Sequence, residues 1–160
     1  MKLKAIAISI FLVHSAFGQM RDVSPQQGDK AILLEMHQAV LAAHLAKDAA
    51  AWTALEADTT ISANNGEVTF PGRSARQQSR QRYLERTNFD SYQDVKPPVV
   101  ELSEDGTLGW VIAEVEVVGW TARMDGTIED VSNTWAWIEL YKKGENGWKM
   151  VGNVSNSRPF

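Results

Sequence analysis

The stretch LGWVIAEVEVVGWTARMDGTIEDVSNTWAWIELYKKGENGWKMVGNVSN, residues 108–156, decides the fold. Its apolar residues recur with a period of two and are punctuated by Asp125-Gly126 and Asn146-Gly147. Asp-Gly and Asn-Gly between alternating runs are hairpin signals, because glycine supplies the positive φ that tight turns need. Strands are therefore expected over 108–121, 127–141 and 148–156. A third signal, Asp105-Gly106, adds a strand over 95–102, blunted at its start by Pro97 and Pro98. Together these make an antiparallel four-stranded meander.

Upstream the period changes. Ile32, Leu33, Met36, Val40 and Ala43 recur at three and four residues, so a helix is expected from Asp29, its cap, to about Lys47. Asp48 caps a second, short helix over 49–57 that carries Trp52 and Leu55. Short strands are expected over 59–63 and 67–70, around the turn at Asn64-Asn65-Gly66. Ser74 and Gln77 have capping-box spacing for a third helix over 75–87. Helices followed by strands, with no repeat or linker, give one α+β domain.

The first 18 residues read as an address. Lys2 and Lys4 precede an uncharged run of nine residues, AIAISIFLV, and Ala16 and Gly18 have the small-residue spacing of a cleavage site. Residues 1–18 are thus expected to be a signal peptide, 19–28 a polar lead-in, and 29–160 the domain. The run is too short for a stable membrane anchor, which takes about 20 residues. The mature protein is expected to be exported, periplasmic or secreted.

Composition excludes several chemistries. With no cysteine there is no disulfide framework, thiolate metal site or thiol nucleophile. A net charge of -4 without a lysine run speaks against nucleic-acid binding. No nucleotide-binding loop, nucleophile elbow or metal motif is present, and no cofactor is expected.

Residues 44–66, HLAKDAAAWTALEADTTISANNG, and 135–159, WAWIELYKKGENGWKMVGNVSNSRP, resemble the opening and closing segments of the nuclear transport factor 2-like superfamily, which includes SnoaL-type cyclases and ketosteroid isomerases. The resemblance covers about Asp29 to the C-terminus. It implies a cone: a curved antiparallel sheet wrapped around N-terminal helices, with a pocket at the wide end. It also implies a homodimer through the convex face of the sheet. Members include enzymes, binders and assembly modules, so three readings stay open: a small-molecule-binding protein, a cofactor-independent isomerase, lyase or hydrolase, and a structural dimerisation module. Many relatives carry a pocket histidine in the last strand. Here that strand reads Val151-Gly152-Asn153-Val154-Ser155.

Hairpin register assigns the faces. A two-residue turn at Asp125-Gly126 puts Met124 opposite Thr127, and hence Val115 opposite Ala136, Ala113 opposite Ile138 and Val111 opposite Leu140. That aliphatic side is expected to be concave, with Thr134, Val151, Asn153 and Ser155. The other side would hold Trp110, Trp120, Trp135, Trp137 and Tyr141 with Glu114, Glu116 and Glu139, an aromatic surface suited to a dimer interface. A slip of one residue would exchange the faces.

The expected ligand pocket is then Trp52, Asp58, Tyr83, Thr134, Asn153 and Ser155, and the expected interface Trp110, Trp120, Trp135 and Trp137. Glu114 and Glu116, about 7 Å apart on one strand side, would be an acid–base pair only if they faced the pocket. His37 and His44 lie about 10 Å apart along one helix, too far to share a metal ion, and read as surface or core-edge residues, one of which could reach the pocket. Arg73, Arg76, Arg80, Arg82 and Arg86 crowd the third helix, as a solvated face or an anion-binding one. Asn153-Val154-Ser155 has the letters of a glycosylation site but lies inside an expected strand.

Overall fold

The structure, a computed structural model, describes residues 24–64 and 66–158; the expected signal peptide and residues 19–23 of the lead-in lie outside them. Three helices precede or interrupt an eight-stranded sheet. They are α1 (Pro25–Leu45), α2 (Ala49–Ala54) and α3 (Arg73–Arg86); the strands are β1 (Glu56–Asn64), β2 (Glu67–Thr69), β3 (Thr87–Asp94), β4 (Val99–Leu102), β5 (Leu108–Ala122), β6 (Ile128–Asp130), β7 (Asn133–Gly144) and β8 (Gly147–Arg158). No described helix is long and apolar enough to cross a membrane.

The expected helices are present with shifted ends. α1 starts four residues before Asp29, because Ser24 accepts a hydrogen bond from the Gln27 amide and Pro25 fits the first turn. Asp29 is buried instead, accepting from Lys143 Nζ at 2.8 Å and from the Trp148 indole at 2.9 Å. Those bonds hold its carboxyl below the usual range. Asp48 caps α2 by accepting from the Ala51 amide. Ser74 does not cap α3; Gly72 precedes that helix and no side chain caps it.

The meander forms as expected, with Gly106, Gly126 and Gly147 all at positive φ. β7 pairs with β5 and with β8, and β4 with β5, all antiparallel. Two features go beyond it. β3, polar and without alternation, follows α3 with no intervening turn and pairs with β5. β1 pairs with β8 in parallel, so the sheet is mixed rather than wholly antiparallel. Its order is β2-β1-β8-β7-β5-β3, and it curls around α1. Leu33 and Val40 of α1 pack with Val111, Tyr141, Trp148 and Met150, while Leu41 packs with Ala113, Val115 and Val117.

The expected register is off by one residue. The β5–β6 turn, which sets the register that β7 continues, spans three residues: Arg123 stands opposite Thr127, the Gly126 amide donates to Arg123 O, and Gly126 has φ 85°. This is a type I turn closed by a left-handed glycine. Ala113 therefore faces Trp137 and Val115 faces Trp135. The aliphatic residues of β5 are concave as expected, but on β7 Trp135, Trp137, Glu139 and Tyr141 join them and Thr134, Ala136, Ile138 and Leu140 turn outward. Further on, an irregularity between Leu140 and Tyr141 shifts the β7–β8 register by one, placing Trp137 opposite Ser155 and Glu139 opposite Asn153.

Candidate functional site

The curl of the sheet, α1, α2 and α3 enclose a cavity of about 400 Å³. Trp52 and Tyr83 line it from the helices, and Asn153 and Ser155 from β8. Thr134 does not line it, because the one-residue register difference turns it outward. Asp58 lies outside, with its side chain 92% exposed and paired with Arg73 at 2.9 Å. The acid that does reach the cavity is Glu56, two residues earlier on β1. The irregular β1–β8 register between Glu56 and Ile61 breaks simple alternation along that strand. Trp135 and Trp137 line the cavity, which removes them from the outer surface; Trp110 and Trp120 stay on the outward side of β5. Glu114 faces outward, paired with Lys96 at 2.7 Å.

The cavity wall is a stack of flat groups. Tyr92 stacks on the His44 ring, with centroids 4.3 Å apart, and His44 meets Trp52 at 3.9 Å. The Arg80 guanidinium lies over the Trp52 ring, 3.8 Å from its centroid. A cation over an indole face is attracted by the ring quadrupole. Sequence reading missed Tyr92, since β3 carries no alternation to mark it.

Two enclosed carboxylates reach into this space. Glu56 is 2% exposed and is bound by two arginines: Arg80 grips both carboxylate oxygens at 2.6 Å, and Arg76 donates at 2.8 Å. Glu139 is equally enclosed. It accepts from His37 Nδ1 at 3.0 Å, the Trp137 indole at 3.1 Å and the Tyr141 hydroxyl at 2.8 Å. His37 also donates from Nε2 to Asp94 at 2.9 Å. Burial disfavours the His37 charge, but two carboxylates more than offset it, so its pKa is raised. Each ring nitrogen thus faces a carboxylate, an arrangement that favours the doubly protonated ring.

His44 is the opposite case. Its Nδ1 donates to Val40 O at 2.8 Å, and burial pulls its pKa down to about 4. The ring is neutral at pH 7, and Nε2 is a bare acceptor with no hydrogen-bond partner among the described residues. Since no fully enclosed side-chain nitrogen or oxygen lacks a partner, Nε2 opens into the cavity. Both histidines belong to the core, at 0% and 4% exposure, and not to its surface. The Tyr92 hydroxyl and the Asn153 amide likewise have no hydrogen-bond partner among the described residues and line the same space, as does Tyr83, whose hydroxyl interacts with Thr87. Burial raises both tyrosine pKa values, so they remain neutral donors.

Arg73 and Arg76, whose place at a helix start raised an anion-binding role, are occupied otherwise. Arg73 donates to Thr53 O and Glu56 O, and Arg76 to the carbonyls of Ala57, Asp58 and Pro71. They fasten β1 to α3. Among the described residues, no group of three or more acidic or histidine side chains is arranged to hold a metal ion.

No family model and no curated protein matches the chain. Solved structures do. A nuclear transport factor 2-like protein from Cytophaga hutchinsonii is 13% identical, with TM-score 0.64, over 81% of this chain and 98% of that one. A ketosteroid isomerase-like protein from Erwinia carotovora atroseptica is 17% identical, with TM-score 0.63, over 81% and 95%. A nuclear transport factor 2-like protein of unknown function in nutrient uptake from Rhodospirillum rubrum is 16% identical, with TM-score 0.63, over 79% and 98%. At these identities the likeness is one of backbone, and it establishes that this chain has the nuclear transport factor 2-like fold.

Proposed function

We propose that this is an exported small-molecule-binding protein whose ligand occupies the aromatic cavity. One observation carries the reading: the enclosed titratable groups Glu56, Glu139 and His44 are poorly suited to proton abstraction, Glu129 and Asp130 are held by Arg123 and Ser132, and neutral hydrogen-bonding groups line the space. Glu56 and Glu139 are saturated by cations and donors. His44, at about 4, is a weak base at neutral pH. Proton transfer favours a group whose pKa lies near the working pH. A few placed polar groups among flat apolar walls instead suit recognition of an organic ligand.

The alternative reading, a cofactor-independent isomerase, lyase or hydrolase, rests on His44 Nε2 acting as the base beside the Tyr83 and Tyr92 hydroxyls. Titration calorimetry with 2-naphthaleneacetamide, a neutral bicyclic probe, tests the binding site itself. One saturable site per chain, weakened by Trp137→Ala, is the expected result; the absence of saturable heat would overturn it. A native mass spectrum of protein from its original host would reveal a retained ligand and the processed N-terminus.

The outward side of the sheet is proposed as the contact for a second copy. Ile61, Ile112, Leu140 and Val154 are each between 37% and 47% exposed and sit on neighbouring strands β1, β5, β7 and β8. A contiguous apolar patch of this kind marks an interaction surface.

A further inference from the structure

A second cavity, also about 400 Å³, lies against the first and shares four wall residues with it: Glu56, Arg80, Met150 and Asn153. Its character differs. Thr60, Ser62, Thr69 and Ser79 give it a hydroxyl lining. Thr60 is 5% exposed, yet its hydroxyl has no hydrogen-bond partner among the described residues. Because no fully enclosed side-chain oxygen is left without one, that hydroxyl opens into the second cavity.

Charge is distributed unevenly between the chambers. At the shared wall one carboxylate, Glu56, meets two guanidinium groups, leaving a surplus positive charge. At the far wall of the first cavity Glu139 lines the space, with His37 and Asp94 behind it; two acids against one histidine leave a surplus negative charge whichever form the ring takes. The remaining acids of the first cavity, Glu129 and Asp130, lie on β6. Arg80 is the single permanent cation among the described residues lining that cavity. Its Nη1 hydrogens go to Glu56 and Thr53, and one Nη2 hydrogen goes to Glu56. Nε–H and the second Nη2 hydrogen have no partner among the described residues.

We infer that the ligand is an amphipathic organic acid, with its flat apolar body against Trp52, Tyr92 and Trp137 and its carboxylate at Arg80, reaching past Asn153 toward the Thr60 hydroxyl. This rests on the binding reading above and adds the chemical class and the orientation. The negative far wall repels an anion and the Arg80 wall attracts it, so only one direction of entry suits such a ligand. A guanidinium with a free N–H edge is the side chain best fitted to a carboxylate.

The test compares 2-naphthaleneacetate with its neutral twin 2-naphthaleneacetamide by titration calorimetry. The expected result is an acid preferred over the amide by about tenfold, the effect of one charge-assisted hydrogen bond. Arg80→Gln should bring that ratio close to one, and Thr60→Val should lower it by several-fold. Arg82→Gln removes the same charge from an exposed site on α3 and should leave the ratio unchanged. Because Arg80→Gln also disturbs the Glu56 cluster, Thr60→Val, nearly isosteric, keeps the assignment testable if the first variant fails to fold. Equal binding of both probes would overturn the acid preference and leave the binding site standing. A preference that survives both Arg80→Gln and Thr60→Val would overturn the assignment to this wall. Failure of both probes to bind at millimolar concentration would overturn the binding reading and this inference with it.

Discussion

His37 Nδ1 lies 3.0 Å from Glu139 Oε1, joining the fully buried middle of α1 to the cavity wall on β7. Breaking a buried ion pair by removing one partner strands the other charge. His37→Leu should therefore cost about 3–5 kcal/mol of stability. Urea denaturation of the two proteins measures this, and a loss below about 1 kcal/mol would mean the carboxylates find other partners.

The two core histidines should titrate on opposite sides of the ordinary value of 6.5. For His37, raised by its carboxylates, the stabilisation is fully present below about 6.5 and is lost as pH rises through the folded value. For His44, lowered to about 4, it is present above 6.5 and is lost as pH falls through 4. An NMR titration of the imidazole signals checks both directions. His44→Phe should flatten the loss of stability between pH 6.5 and 4; an unchanged slope would place that loss elsewhere.

Gly119→Ala should be among the more costly small substitutions. A Cβ there would meet the backbone carbonyl of Asn88 and stand 3.1 Å from Phe89 Cα, on the paired strand β3. Backbone cannot swing aside as a side chain can, so a cost of about 1–3 kcal/mol is expected. Thermal unfolding reads it, and a melting temperature within about a degree of wild type would show that β3 gives way freely.

Ile112→Lys on the outward side of β5 should convert a dimer to a monomer without unfolding it, since Ile112 is already 42% exposed in the single chain. Sedimentation velocity distinguishes the states. If the parent sediments as a monomer at high concentration, the outer patch does not pair copies of this chain.

Much of this architecture can be read from residues. The three glycine turns mark the meander, and Asp48 marks α2, because both signals are local. β3 could not be read, since TNFDSYQD carries neither alternation nor a turn before it; its strand conformation comes from pairing with β5. The sheet faces turned on one residue. Asp125-Gly126 fits a two-residue or a three-residue loop, and only the backbone hydrogen bonds separate them. Asn153 and Ser155 nevertheless reach the cavity, because the later β7–β8 irregularity compensates for the turn. Asp58 was expected at the end of the second helix; α2 stops at Ala54 and β1 begins at Glu56, so Glu56 lines the cavity and Asp58 lies outside it. The charged cluster around His37 joins residues from three distant segments and has no signature in one sequence.

The parallel pairing of β1 with β8 bears on how the chain acquires this shape. Glu56 can meet Arg76 and Arg80 early, within one short segment, but its strand neighbour is Met150. A polypeptide emerging from its N-terminus thus presents the residues of the helices and the arginine clasp before those of the strand that completes the cavity. Contacts this far apart in sequence slow folding. The cavity is accordingly completed only by the last strand, and a chain truncated before β8 would lack the Met150, Asn153 and Ser155 side of it.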